Sequence, residues 1–178
     1  MLVLVAQGGD VKLKLTAVVV FVAVSLAAYA GNVLATPGAG FSGTTVAKAT
    51  FGDIFSHVND KTPQFWNEVI QTQGASDLYV QQNTWQPGGT TGWHTHPGPS
   101  FIIVTQGSLT VYDGSDPTCT PHVYTANTPN NSFVDIGGGD VHLVRNETGA
   151  VAQAMAVQLI PAGATRRQDA ADPGTCSF

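Results

Sequence analysis

The stretch Gly88-Gly89-Thr90-Thr91-Gly92-Trp93-His94-Thr95-His96-Pro97-Gly98-Pro99-Ser100 sets a His-Thr-His triplet inside a frame of turn-forming glycines and prolines. Residues two apart on a strand project from one face, so His94 and His96 can address a single point. A third histidine, His142, follows the Gly137-Gly138-Gly139 turn 46 residues beyond His96, far enough for the chain to return beside the pair on a neighbouring strand. A His-x-His pair alone carries little weight, because such pairs are common on exposed strand faces. The glycine frame and the third histidine change the weighing.

Working outward, the chain from Thr44 onward alternates short apolar or β-branched runs with Gly, Pro, Asn and Asp. Strands are expected over 78–86, 92–96, 100–106, 109–113, 122–126, 132–136, 141–145 and 151–160. Turn residues separate them, among them Pro87-Gly88-Gly89, Asp113-Gly114 and Pro129-Asn130-Asn131. Residues 63–71 are the one place where a short helix is expected. Many short strands punctuated by turns predict an all-β sandwich or barrel.

Composition agrees. With 43% hydrophobic and 11% charged residues, the 178-residue chain is too apolar to be disordered. Sparse charge and 20 glycines exclude a coiled coil, which needs charged solvent faces. Seven Lys and Arg against twelve Asp and Glu leave no basic face to neutralise phosphates, which excludes nucleic acid as a principal partner. Two cysteines cannot build a disulfide-dense miniprotein or a four-cysteine zinc cluster.

Lys12 and Lys14 precede an uncharged stretch whose front part, 15–30, is almost wholly apolar. It is shorter than the roughly 20 residues of a transmembrane helix and ends in small residues. Residues 1–35 therefore read as a secretory signal peptide, cleaved after Ala30 or Ala35. An uncleaved anchor is the rival reading, and only then is a membrane a partner. The remainder divides into N-terminal strands with the short helix (36–77), a barrel (78–161) and a polar surface tail (162–178). Export to an oxidising compartment makes a Cys119–Cys176 disulfide the expected state, with two unpaired thiols or a thiol metal ligand as the alternatives.

The spacing Gly88-(five residues)-His94-Thr95-His96-(three residues)-Ser100-(six residues)-Gly107 resembles the first motif of the cupin superfamily. Gly137-Gly138-Gly139-Asp140-Val141-His142-(three residues)-Asn146 resembles the second, with Gly137 where the family usually has Pro. The resemblance implies a double-stranded β-helix, or jelly-roll, barrel holding a divalent transition metal in its mouth through His94, His96 and His142. One departure stands out: Ser100 occupies the place of the family's usual Glu ligand, and Phe101-Ile102-Ile103-Val104 behind it holds no replacement acid.

Three neutral imidazoles would leave the ion its full charge and open positions, which suits a small, chelating, anionic substrate. With iron, as in cupin dioxygenases that use three histidines, such a site is suited to oxygen chemistry; Mn, Zn, Ni and Cu accept the same donors. Asp140, two residues before His142, is the nearest acid by sequence and the candidate catalytic residue, as fourth ligand, orienter or proton acceptor. Its plainer reading is a turn residue after Gly139. Ser100, Ile102 and Val104 share one strand face and are expected to form a mainly apolar pocket wall. Of the sets Gln82 and Gln86, or Tyr79, Gln81 and Asn83, one must face inward. Trp93, opposite His94, is expected in the core, Asn146 in a structural hydrogen-bonding role, and His57 and His122 outside the site.

Two further functional readings stay open: a non-catalytic extracytoplasmic protein that binds a small molecule or serves structurally, and a metal-assisted isomerase or hydrolase. Similar domains often dimerise by pairing sheet edges, so a homodimer belongs to the expectation.

Overall fold

Strand β11 (Ala152–Pro161) shows how the sequence writes the barrel: its even-numbered residues from Ala152 to Ile160 are buried, and the residues between them are not. That is the two-residue period of a strand with one face on a core. The computed structural model describes residues 35–60 and 66–178. The expected signal peptide, apart from Ala35, lies outside the described residues.

The other strands are β1 (Ala39–Phe51), β2 (Phe55–Asp60), β3 (Trp66–Gln71), β4 (Ser76–Thr90), β5 (His94–Thr95) and β6 (Ser100–Gln106). They continue with β7 (Ser108–Asp113), β8 (His122–Thr125), β9 (Ser132–Asp135), β10 (His142–Arg145) and β12 (Gln168–Asp169). Ten strands join in the order β12-β5-β10-β4-β11-β6-β9, with β1 on β4 and β7 linking β10 to β8, while β2 and β3 form a separate hairpin. Every pairing is antiparallel. No helix occurs among the described residues. The fold is the expected all-β jelly-roll barrel.

Inside it, Trp85, Ile102, Val104, Leu109 and Val144 pack on the inward alanines of β11. Trp93, Tyr112, Leu143 and Cys176 form a second buried cluster, with Cys119, Val141 and Ala170 packed against it. Trp93, 2% exposed, is the core residue its parity predicted.

Two expectations need correction. Of the short helix expected over 63–71, the described residues Trp66–Gln71 are instead strand β3, paired with β2 from Phe55↔Gln71 to Asp60↔Trp66. Cross-strand bonding of a segment that itself carries Trp66, Val69 and Ile70 overrides a weak local helical signal. The tail does not merely run over the surface either. Its β12 pairs with β5, Gln168 opposite Thr95 and Asp169 opposite His94, while the expected disulfide holds it as foreseen, Cys176 to Cys119 with a Cα separation of 5.2 Å.

Candidate metal centre

Strands β5 and β10 are neighbours, and their register sets His142 directly opposite His94. His96, just past β5, shares the face of His94. The ring centroids stand 4.3 Å (His94–His142), 4.9 Å (His94–His96) and 5.4 Å (His96–His142) apart. One nitrogen from each ring lies within 4.8 Å of those of the other two. The sequence expectation that the two motifs meet on three histidines is thus realised in the geometry.

Each outer nitrogen is engaged by a main-chain carbonyl. Nδ1 of His94 is 2.9 Å from the Gly92 oxygen, Nδ1 of His96 is 2.6 Å from the Arg166 oxygen, and Nδ1 of His142 is 3.5 Å from the Asp140 oxygen. A carbonyl oxygen only accepts, so the proton of each neutral ring belongs on Nδ1 and donates outward. That leaves three Nε2 lone pairs facing a common buried space. Outer partners of this kind orient metal-bound imidazoles. Burial pushes the His94 ring well below its ordinary pKa, assisted by the nearby His142, Arg167 and His96 charges. Burial also lowers His96, partly offset by the Arg166 carbonyl and by Asp135.

The acid at this site is Asp135, which reading the sequence missed. It sits at the end of β9, directly across the strand pair from Ser100, and is 5% exposed. Its Oδ1 accepts the Gly137 N–H at 2.8 Å. Its Oδ2 stands 3.3 Å from Nε2 of His96 and 3.7 Å from Nε2 of His142, and it has no hydrogen-bond partner. A carboxylate oxygen facing two imidazole lone pairs in a buried space is repulsive unless a cation or proton lies between them. Nitrogen and carboxylate donors suit a divalent transition metal, so the residues present fit the implied group.

Asp140 takes a different place from the one expected. Asp140 lines a neighbouring cavity with Asp113 and His122 rather than the one that all three histidines line. Burial, with Asp113 close by, raises its pKa. Its carbonyl stands 3.5 Å from Nδ1 of His142, and its carboxylate lies within 4.8 Å of a ligand atom of Asp135 and of His142.

The cavity at the histidines measures about 210 Å³ and is lined by all three of them, Asp135, Ser100 and Ile102 among others. Val104, expected in its wall, belongs instead to the packed core beneath, 1% exposed. Gln81 and Asn83 line it, which resolves the parity of β4, and Ala156 and Gln158 contribute from β11. Gln158 Nε2 donates to the Ser100 hydroxyl at 3.2 Å and to the Arg166 carbonyl at 3.3 Å. Two cations border the space, Arg166 and Arg167. Arg166 lies over the Tyr79 ring at 4.7 Å, while Arg167 is tied to Thr91 and Asp169. The signal for Asp135 was present, since Phe133 and Asp135 share one face of β9 and both line the cavity. Nothing local marks the arginines, which arrive through the pairing of β12 with β5.

Asn146 keeps its structural role: its amide donates to the carbonyls of Trp85, Gln86 and Ala150 at 3.2, 3.1 and 2.7 Å. Gly137, the departure from the family's proline, has φ of 66°, which a pyrrolidine ring cannot adopt.

No protein-family model matches the chain, and no curated protein matches it. Among solved structures it is similar to an oxalate oxidase at 21% identity and a TM-score of 0.38, over 48% of this chain and 46% of that one. It is also similar to a cysteine peptidase from Thevetia peruviana latex (23% identity, TM-score 0.42, 67% and 68% of the two chains). A cupin domain from Bordetella pertussis matches at 19% identity and a TM-score of 0.37, over 61% of this chain and 93% of that one. The chain therefore spans less than half the length of the oxalate oxidase. With both motif spacings present and three histidines brought together at one mouth of an antiparallel jelly roll, the fold and the site are those that the resemblance to the cupin superfamily implies.

Proposed function

We propose that the protein is an extracytoplasmic metalloenzyme that binds a divalent transition metal, iron first, on His94, His96 and His142 and acts as a dioxygenase on a small chelating anion. The observation that carries this reading is the convergence of three Nε2 lone pairs whose Nδ1 protons are each committed to a carbonyl. When bound, iron supplies Lewis acidity and one-electron chemistry with dioxygen.

The chain supplies the rest. Gly92, Arg166 and Asp140 hold the imidazoles in one tautomer and orientation through their carbonyls. Ile102, Phe41 and Trp85 give the cavity an apolar wall that limits water around the reacting atoms. Arg166 and Arg167 set positive charge beside an acid-bearing guest. The volume, about 210 Å³, is below the roughly 300–1,000 Å³ of drug-sized sites, which favours a small metabolite. The Cys119–Cys176 disulfide accords with an oxidising compartment and with the export segment.

The test is elemental analysis of the exported protein beside a His94→Ala/His96→Ala variant, followed by oxygen uptake with small chelating acids. Near-stoichiometric iron that the variant lacks, with uptake for at least one acid, is the expected result. No transition metal in either protein overturns the reading. Metal without oxygen consumption would favour the non-catalytic binding protein.

A further inference from the structure

We infer that Asp135 is the fourth metal ligand, carrying across the β6–β9 pair the carboxylate that Ser100 lacks. The inference rests on the metal-site reading above. Ser100 and Asp135 are register partners, and residues directly opposite on an antiparallel pair present adjacent side chains on one face. Moving the acid from one to the other shifts its root by about one inter-strand spacing, roughly 4.8 Å, while the point it addresses stays in the mouth.

A second observation joins the first. Asp135 aims its free oxygen because Oδ1 is held by the Gly137 N–H at 2.8 Å. Proline, the family's usual residue at that position, has no N–H to give and cannot reach the φ of 66° found there. The two departures from the motif pattern, Ser100 and Gly137, are therefore coupled: one removes a carboxylate and the other positions its replacement. The free oxygen, Oδ2, is buried, without a hydrogen-bond partner, and 3.3 and 3.7 Å from two Nε2 atoms.

Asp140 does not compete for this role. Asp135, Asp140 and His142 also lie within ligand reach of one another, but of these three Asp140 alone does not line the cavity of the three histidines. A carboxylate ligand lowers the net charge of a divalent site by one and fills a position that a three-histidine site would leave open.

The test titrates the full, disulfide-bonded, metal-free protein with Co²⁺, reading affinity and the visible spectrum. The chains compared are wild type, Asp135→Asn, Asp140→Asn and Ser100→Glu/Asp135→Asn. Asparagine keeps an oxygen for the Gly137 N–H; Asp135→Ser is a second variant that also offers one, and the melting of each metal-free variant identifies folded protein. Asp135→Asn should bind Co²⁺ at least 10-fold more weakly, with a changed spectrum, while Asp140→Asn stays within about 3-fold. Ser100→Glu should recover most of the loss. An Asp135→Asn variant that binds like wild type with an unchanged spectrum overturns the inference, as does a larger loss in Asp140→Asn. Wild type that binds no Co²⁺ removes the metal reading itself, a distinct failure.

Discussion

Two buried carboxylates, Asp77 at the start of β4 and Asp135 at the end of β9, are 1% and 5% exposed, yet they have opposite surroundings. Asp77 is satisfied: the Thr50 hydroxyl donates at 2.5 Å, the Gly163 N–H at 3.0 Å, and Lys48 Nζ stands 2.9 Å away. The Gly163 N–H, then Thr50 and Lys48, hold its carboxyl well below the usual carboxylate range. Asp135 has one oxygen satisfied and the other bare. A buried acid with all its partners ties elements together, whereas one left half-open in a cavity is poised to bind.

The bluntest way to break this contrast is Cys176→Ser, because the tail it anchors passes both regions, giving the Gly163 N–H to Asp77 and the Arg166 carbonyl to His96. The bridge spans a sequence separation of 57, for which loop-entropy arguments predict a loss of about 4 kcal/mol. Denaturant unfolding should show it, and hydrogen exchange should show amide protection lost in β12 before β11. A bridge with no effect on stability would mean that the tail is held by its strand pairing alone.

Next in size is the direct comparison. In metal-free protein, Asp77→Asn should lower the melting temperature, whereas Asp135→Asn should raise stability by about 1 kcal/mol, because it removes an uncompensated buried charge. Two losses of equal size would erase the distinction.

The pH profile gives a finer cut. His94 and His96 have folded pKa values below the ordinary 6.5, so the unfolded chain takes up their protons first and metal-free stability falls as pH drops below about 6.5. Asp77, also depressed, adds stability that is complete above its ordinary value near 3.8 and is lost as pH falls below it. Melting against pH should therefore decline in two stages. His94→Ala/His96→Ala should flatten the upper stage and Asp77→Asn the lower.

Much of this was legible in the sequence. Strand periodicity from β4 to β11 and turn glycines at the expected places gave the barrel, and the two histidine motifs gave three donors. What escaped has a common cause. Asp135 lay in a plausible strand, but choosing it over Asp140 required knowing that β9 pairs with β6 in a register that matches it to Ser100. Arg166 and Arg167 depend on a two-residue strand pairing some 70 positions back in the chain. The helix expected over 63–71 gave way to a nearer pairing, the β2–β3 hairpin that sets Asp60 opposite Trp66 and fixes Trp66–Gln71 as strand.

The inward alanines of β11 bear on how such a protein diversifies. Ala156 borders the cavity while Ala152 and Ala154 lie behind it, so the room for a guest is set in part by side chains that carry no chemistry. A methyl group added or removed there resizes the chamber without touching a donor atom. The room in the cavity can then change while the donor atoms around it stay fixed.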